Sequence, residues 1–177
     1  MKFDSLTGLP THEEVAARLG DGSAPFGAIF DIDALAWATH TFGFAHSDQI
    51  LIRVAGVIDT TAIPLAGESF RIGGDEFLAL LPGASHDDAL HFARLVIRGV
   101  AALRLEYSRR DDPTRRHAAV NAVVCRVTAA LTGEIQAARK WTADMIWQAK
   151  QGDRLRVEVL ADAGDDLPPW ALGPPKL

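Results

Sequence analysis

The sequence has hardly any cysteine, no surplus of positive charge and no long apolar run. Cys125 is the only cysteine among 177 residues, so the chain cannot form an internal disulfide and offers no cysteine cluster to a metal. Lysine and arginine number 18 against 23 aspartates and glutamates, which gives a formal charge of −5. This balance disfavours nucleic acid as a partner, while a local basic site for an anionic ligand stays compatible with it. The apolar runs fall far short of the ~20 residues that a membrane span needs.

The overall composition is that of an ordinary globular protein, with 48% apolar and 23% charged residues. A chain of 177 residues suits one domain with a short appendage. Acidic residues lie where a signal peptide would have its apolar region, so we expect a cytoplasmic protein. Residues 161–177 are rich in proline, glycine and aspartate and predict a tail that follows a domain over 1–160.

Hydrophobic periodicity and turn residues predict an alternation of helices and strands along the domain. The predicted helices cover 11–19, 35–42, 47–59, 85–103 and 133–151, with Thr11 and Ser47 as caps of their helices. The predicted strands cover 26–31, 69–72, 77–81, 118–128 and 155–160. This order is typical of an α+β fold, in which helices pack on a mixed central sheet.

Two acidic residues, Asp31 and Asp33, stand at the end of the apolar strand that begins at Phe26. Strand alternation puts both side chains on one face of the sheet. Carboxylates delivered by a hydrophobic strand are a common way to bind Mg²⁺, which takes oxygen ligands. The alternative is that these acids merely cap the helix that follows.

A second acidic segment follows two glycines, in the turn Gly73-Gly74-Asp75-Glu76 between two short strands. The glycines would let the backbone adopt positive φ and come close to a ligand. If this hairpin pairs beside the strand of Asp31, then Asp75 or Glu76 would complete a two-carboxylate metal site. The alternative is a plain hairpin turn with solvated acids.

The segment Gly-Gly-Asp-Glu-Phe at 73–77 resembles the signature of the GGDEF family, the diguanylate cyclases, and other segments match the family at its spacing. Residues 4–10, Asp-Ser-Leu-Thr-Gly-Leu-Pro, resemble the family's opening D-x-L-T-G-L-x. Residues 30–33 resemble its D-I-D strand, and residues 42–48 fit its F-G-H-x-x-G-D segment. Residues 143–154 fit its late helix and the arginine after it. The resemblance spans about residues 4–160.

The resemblance implies a fold similar to nucleotidyl cyclases and polymerase palms, with a central, mostly antiparallel sheet flanked by helices. It implies that two facing protomers, each with one GTP, make cyclic di-GMP and release pyrophosphate, so that catalysis needs a homodimer. By the same resemblance, Asp31 and Asp75 would bind Mg²⁺ or Mn²⁺ with help from the carbonyl of Ile32. Asp75 would also help to deprotonate the attacking 3′-hydroxyl, and Glu76 would support the catalytic site.

The family's nucleotide-binding positions also carry over by this resemblance. The residues at those positions are Gly73, Gly74, Thr39, Asp48, Lys150 and Arg154. Thr39 and Asp48 stand where the family reads guanine, while Lys150 and Arg154 would hold the terminal phosphates. The alternative for these two cations is a favourable position at a helix C-terminus.

The sequence departs from the family where the nucleotide would be read. The family's Lys and Asn become Ala36 and Thr39, and the next Asp becomes His40. Threonine cannot reproduce the bidentate pairing of an amide with a base edge. The missing contact weakens binding of the base by about 1–3 kcal/mol. Residues 64–67, Pro-Leu-Ala-Gly, replace the family's inhibitory R-x-x-D motif, so we expect no product site there.

Two functions are therefore open. The intact acid pair favours a diguanylate cyclase-like enzyme that is weak or relaxed in its choice of base. The changes at positions 36, 39 and 40 favour a non-catalytic module that binds a nucleotide or a signalling protein partner in cyclic di-GMP signalling.

Overall fold

The computed structural model describes residues 1–19, 25–107, 116–127 and 157–159. The helices are α1 (Val15–Arg18), α2 (Leu35–Phe42), α3 (Phe44–Ala62) and α4 (His86–Ala102), with single 3₁₀ turns at His12–Glu14 and Ile63–Leu65. The strands are β1 (Phe26–Ile32), β2 (Glu68–Arg71), β3 (Glu76–Leu81), β4 (Val120–Arg126) and β5 (Val157–Val159).

The strands form one five-stranded sheet in the order β2-β3-β1-β4-β5. β1 pairs antiparallel with both β3 and β4, β2 pairs antiparallel with β3, and β5 joins β4 in parallel. The predicted α+β fold with a mostly antiparallel central sheet is thus confirmed. Because β1 lies at the centre of this sheet, the residues at its C-terminal end lie between two neighbouring strands, β3 and β4.

Alternate residues of the strands fill two separate cores, one on each face of the sheet. Phe30 and Phe77 belong to the core that also holds the apolar faces of α3 and α4. Ile29 and Leu78 belong to the other core, which includes Val15 of α1. Asp31 and Glu76 have the strand parity of Ile29 and Leu78, so their side chains lie on the α1 face of the sheet.

Helix α4 illustrates how local sequence sets the bounds of an element. Ser85 accepts a hydrogen bond from the Asp88 amide at 3.2 Å, and the Asp88 carboxylate accepts one from the Ser85 amide at 2.9 Å. This capping box satisfies two amide groups that a helix start would leave unpaired. Ser85 was expected from the sequence to begin this helix, and the structure confirms it.

Two helix predictions are wrong at their starts. The predicted helix over 11–19 is a 3₁₀ turn followed by the short α1, and the Thr11 side chain makes no cap hydrogen bond. Helix α3 begins at Phe44, three residues before the predicted cap Ser47. Gly43, at φ 87°, allows the tight corner, and the Ser47 hydroxyl donates to the Phe44 carbonyl from inside the helix at 2.9 Å.

The single cysteine is buried on β4, and burial raises the pKa of the Cys125 thiol to about 12, so it behaves as a small apolar residue. The predicted helix over 133–151 and the predicted tail over 161–177 lie outside the described residues. Of the predicted last strand, the structure describes Val157–Val159 as β5. Within the described ranges, no helix is long and apolar enough to cross a membrane.

Candidate active site at the end of the central strand

Backbone hydrogen bonds pin the end of β1 on both sides. The Ile32 amide donates to the Asp75 carbonyl at 3.1 Å, and the Asp33 amide donates to the Ala119 carbonyl at 3.0 Å. The hairpin turn that carries Asp75 therefore lies directly beside the acid-bearing end of β1. This is the arrangement that a shared two-carboxylate site needs.

Three polar residues form a row across the sheet at this level, which we call the polar row: Glu76 on β3, Asp31 on β1 and Asn121 on β4. Asp31 is directly opposite Glu76 in one register and directly opposite Asn121 in the other. Side chains of directly opposed residues project from the same face, with Cβ atoms about 4.5–5.5 Å apart. The row thus sets a carboxylate between a second carboxylate and an amide.

The two carboxylates of the polar row are poorly hydrated. Glu76 is 8% exposed, and Asp31 is partly buried. Like charges directly opposite each other on neighbouring strands destabilise a sheet, and a nearby cation removes that repulsion. A cation bound beside the row would therefore stabilise both carboxylates.

The donor atoms at this edge suit a magnesium ion. The carboxylates of Asp31 and Asp75 and the carbonyl of Ile32 are oxygen ligands, and Mg²⁺ commonly takes one or two carboxylates and fills its shell with water and phosphate oxygens. Over the described ranges, no group of three or more His, Cys, Asp or Glu side chains is spaced as a metal cluster. A cation here would therefore share its coordination with a ligand or with water.

The turn of the hairpin differs from its prediction. Neither Gly73 nor Gly74 has a positive φ, and a Cβ added at Gly74 would meet nothing within 4 Å. The Ile72 and Gly73 amides both donate to the Glu76 carbonyl, at 3.0 and 3.2 Å, and close the turn. Gly74 leaves open space above the turn, and neither glycine is needed there for a positive φ.

Arg71 holds this turn from the side. Its Nε donates to the carbonyls of Gly73 and Gly74, each at 3.2 Å, and its Nη1 donates to Asp4 Oδ1 at 2.9 Å. Asp4 Oδ1 also accepts from the Thr7 amide at 2.8 Å and hydroxyl at 2.7 Å. Partial burial alone would raise the pKa of Asp4, but the bonds from Arg71 and Thr7 outweigh it and lower that pKa below its ordinary value.

The turn between β1 and α2 is strained at one residue. Ala34 has φ 51° and ψ 42°, a left-handed conformation that costs a non-glycine residue free energy. The hydroxyl of Tyr107, the only tyrosine of the chain, donates to the Ala34 carbonyl at 3.3 Å. Tyr107 is 3% exposed and so braces this turn from within the protein.

The predicted base-reading positions lie on the helices after this turn. Thr39 on α2 is partly buried, and its hydroxyl donates to the Leu35 carbonyl at 3.2 Å, so it is engaged with its own helix. Asp48 lies in the first turns of α3 and is partly exposed. Ala36 is exposed on α2 and supplies no charge at the position of the family's lysine. Lys150 and Arg154 lie outside the described residues.

Residues 64–67 carry no charged side chain, and their backbone is closely packed. Ala66 adopts φ 50°, and a Cβ at Gly67 would stand 2.9 Å from the Leu80 carbonyl oxygen. A side chain at position 67 would therefore require the backbone of β3 to shift.

Comparison with known proteins identifies the family. The profile described as diguanylate cyclase, GGDEF domain, matches residues 1–154. The chain belongs to the GGDEF family. Diguanylate cyclase DgcP of Pseudomonas aeruginosa is 29% identical over 167 residues, which cover 88% of this chain and 23% of DgcP. The GGDEF domain thus spans about a quarter of that relative.

Solved structures agree on the fold of this GGDEF domain. The GGDEF domain of PA1120 (TpbB or YfiN) from Pseudomonas aeruginosa has a TM-score of 0.67 and 25% identity, over 89% of this chain and 94% of that one. The GGDEF domain of DgcB from Caulobacter crescentus, solved in complex with c-di-GMP, has a TM-score of 0.65 and 21% identity, with the same coverage of both chains.

Sequence reasoning missed three residues near the GGDEF turn: Arg71, Tyr107 and Asn121. Arg71 stands two residues before Gly73, and a basic residue so close to an acidic turn was a usable signal. Tyr107 and Asn121 are each the only residue of their type in the chain. A residue type that occurs once stands out in a sequence, but the sequence does not show where that residue lies. The strand register places Asn121 beside Asp31, and a tertiary contact places Tyr107 beside Ala34.

Proposed function

We propose that this GGDEF domain is a diguanylate cyclase-like nucleotidyltransferase that condenses two GTP molecules into cyclic di-GMP and releases pyrophosphate. The observation that carries the proposal is the hydrogen bond from the Ile32 amide to the Asp75 carbonyl, which ties the acidic turn to the acidic strand end. Two segments more than forty residues apart in sequence thereby supply carboxylates to one place.

The roles proposed for the residues follow from their chemistry. Asp31, Asp75 and the Ile32 carbonyl would hold Mg²⁺ or Mn²⁺, which when bound neutralises charge that develops on the phosphate oxygens. Asp75 accepts the proton of a 3′-hydroxyl whose oxygen then bonds to the α-phosphorus of the other GTP, and pyrophosphate leaves with the electrons of the broken bond. Glu76 supports the carboxylates, while Gly73 and Gly74 leave room for the nucleotide above the turn.

Catalysis would require two copies of the domain, because one set of carboxylates serves one triphosphate and the product joins two nucleotides. Lys150 and Arg154 would hold the terminal phosphates in each copy. Base selection would be weak or relaxed, since Thr39 offers a hydroxyl already bonded to the Leu35 carbonyl where an amide would read guanine. Product inhibition through residues 64–67 would be absent.

A second candidate function is a non-catalytic module that binds a nucleotide or a signalling protein. The observation that favours it is the apolar corner between α2 and α3, where Phe44 is 79% exposed and Phe42 is 37% exposed. Ala36, near the start of α2, adds no charge to that helix. Such a surface suits a protein partner better than a triphosphate.

The experiment that separates the two functions is incubation of the protein with each of the four nucleoside triphosphates and Mg²⁺ or Mn²⁺, followed by mass spectrometry of the products. The cyclase proposal expects cyclic dinucleotide from GTP, with specific activity that rises with protein concentration. It also expects no product from an Asp75→Asn variant that still folds. Absence of any cyclic dinucleotide from the folded wild-type protein, at concentrations that support a dimer, would leave the module as the function.

A further inference from the structure

Phe44 is the most exposed large apolar side chain in the described part of the chain, with 79% of its surface open to solvent. It begins α3 directly after Gly43. Among the described residues its ring has no aromatic partner, whereas the ring of the nearby Phe42 lies against that of His46, with centroids 4.7 Å apart. Single exposed apolar residues are common on protein surfaces, so the position of Phe44 relative to the site must show whether it has a role.

Phe44 lies between the two predicted base-reading positions, Thr39 and Asp48. The Thr39 carbonyl accepts a hydrogen bond from the Gly43 amide at 2.9 Å, which joins the end of α2 to the residue before Phe44. Asp48 follows Phe44 by four residues on α3, and residues at this spacing lie on one helix face with Cβ atoms about 5–6 Å apart. The three side chains therefore belong to one corner of the domain, the corner between α2 and α3.

The polar side chains of this corner would hold a base by one edge only. The Thr39 hydroxyl donates to the Leu35 carbonyl at 3.2 Å, so Asp48 is left to read the base. A purine bound through one edge leaves both of its faces in water, and an exposed phenyl ring beside Asp48 can cover one of them. Stacking of this kind is open to any base, because every base has a π-face.

We infer that the Phe44 ring stacks on the base of the bound nucleotide and supplies affinity that Thr39 does not. This inference rests on the proposed function, because it takes the corner between α2 and α3 to be the base site. Phe44 then sets how tightly a purine nucleoside triphosphate binds, while Asp48 sets which purine is preferred. A carboxylate only accepts hydrogen bonds, and guanine offers it two adjacent N–H donors where adenine offers a single amino group.

The first measurement is calorimetry with Mg²⁺ and non-hydrolysable analogues of GTP and ATP, with inorganic triphosphate as a probe that has no base. Phe44→Ala should weaken binding of both analogues by a similar factor of about 5- to 100-fold and leave triphosphate affinity unchanged. Phe44→Trp should retain the affinity, while Phe44→Leu, which is apolar but has no ring, should not. Asp48→Asn should instead change the ratio of the GTP and ATP affinities. Phe3→Ala, at a phenylalanine that is 54% exposed on the N-terminal segment, is the matched control.

The second measurement reports contact with the base directly. A tryptophan that stacks on a purine loses fluorescence, so the GTP analogue should quench Phe44→Trp more strongly than it quenches wild type, which has four tryptophans of its own. Inorganic triphosphate should cause no such difference, and Phe3→Trp should behave as wild type does. Urea unfolding of each variant checks that the substitution leaves the fold intact. Equal quenching of Phe44→Trp and Phe3→Trp by the GTP analogue would overturn the inference.

The binding results separate this inference from the proposed function. If wild type binds the GTP analogue and Phe44→Ala or Phe44→Leu binds it equally well, the ring does not stack on the base, and the proposed function stands without it. An equal loss of affinity for triphosphate and for the GTP analogue in Phe44→Ala would also overturn the inference, because the substitution would then act on the phosphate site. If wild type binds neither the GTP analogue nor triphosphate, the inference and the proposed cyclase fail together.

Discussion

Arg71 joins Asp4 to the GGDEF turn through a single guanidinium group. One nitrogen donates to Asp4 Oδ1 at 2.9 Å, and another donates to the carbonyls of Gly73 and Gly74 at 3.2 Å. The side chain of Arg71 is only 13% exposed, so water screens these contacts weakly. The first residues of the domain are thereby coupled to the turn that carries Asp75.

The first prediction concerns the pH dependence of this link. The pKa of Asp4 is lowered from 3.8 in the folded protein, so its contribution to stability is present above the unfolded pKa and is lost as the pH falls through the folded pKa. Asp4→Asn should lower the free energy of unfolding by about 1–2 kcal/mol at pH 7. Urea unfolding from pH 7 to 2.5 should show the two proteins converge in acid. A difference that stays constant over this range would contradict the link.

The second prediction concerns the shape of Arg71 rather than its charge. Arg71→Lys keeps the charge but loses the planar fork that reaches Asp4 and the two carbonyls together. We expect the affinity for Mg²⁺–GTP to fall severalfold, because the turn that carries Asp75 loses its lateral support. Calorimetry measures this, with Arg53→Lys on the exposed side of α3 as the matched control. Equal affinities in all three proteins would show that the turn needs no such support.

The third prediction concerns the strained turn at Ala34. Tyr107→Phe leaves the ring in place and removes the hydroxyl that donates to the Ala34 carbonyl, so the free energy of unfolding should fall by about 1 kcal/mol. Ala34→Gly should not destabilise the protein, since glycine adopts positive φ without strain. Urea unfolding of the single and double variants measures both effects. A loss of 1 kcal/mol or more from Ala34→Gly would show that the left-handed turn is not strained.

The fourth prediction concerns the choice of base. Thr39→Asn supplies an amide that can read guanine and should favour GTP over ATP, while Ala36→Lys adds a cation and should help both nucleotides. Together they should strengthen GTP binding by more than tenfold, because a base contact is worth about 1–3 kcal/mol and about 1.4 kcal/mol is a factor of ten. Thr41→Asn, exposed on the same helix, is the control in the calorimetry. Unchanged GTP and ATP affinity in Thr39→Asn would place the base elsewhere.

Local signals were sufficient for most of the fold. The apolar run at β1, the glycine hairpin between β2 and β3, and the Ser85 cap of α4 each specify structure within a few residues. The start of α3 was missed because Ser47 has the chemistry of a cap, whereas the positive φ of Gly43 starts the helix earlier. Nothing in the local sequence distinguishes a serine that caps a helix from one that bonds back inside it.

The site was predictable only in part, because its residues come from distant segments. Asp31, Asp75 and Glu76 were predicted from strand ends and the family signature, and the strand pairing places them at one end of the sheet. The strand register that sets Asn121 opposite Asp31 depends on pairing across some ninety residues, and no periodicity reveals such a pairing. The glycine turn was misjudged because glycine permits positive φ without requiring it.

The central claim is that the hairpin and the end of β1 form one metal site for a triphosphate, and a crystal structure with Mg²⁺ and a non-hydrolysable GTP analogue tests it most directly. The account predicts one ion bound by carboxylate oxygens of both Asp31 and Asp75, each at about 2.0–2.1 Å, with the remaining positions filled by phosphate oxygens and water. An ion bound to the triphosphate without either carboxylate, or carboxylates too far apart to share one ion in that complex, would contradict it.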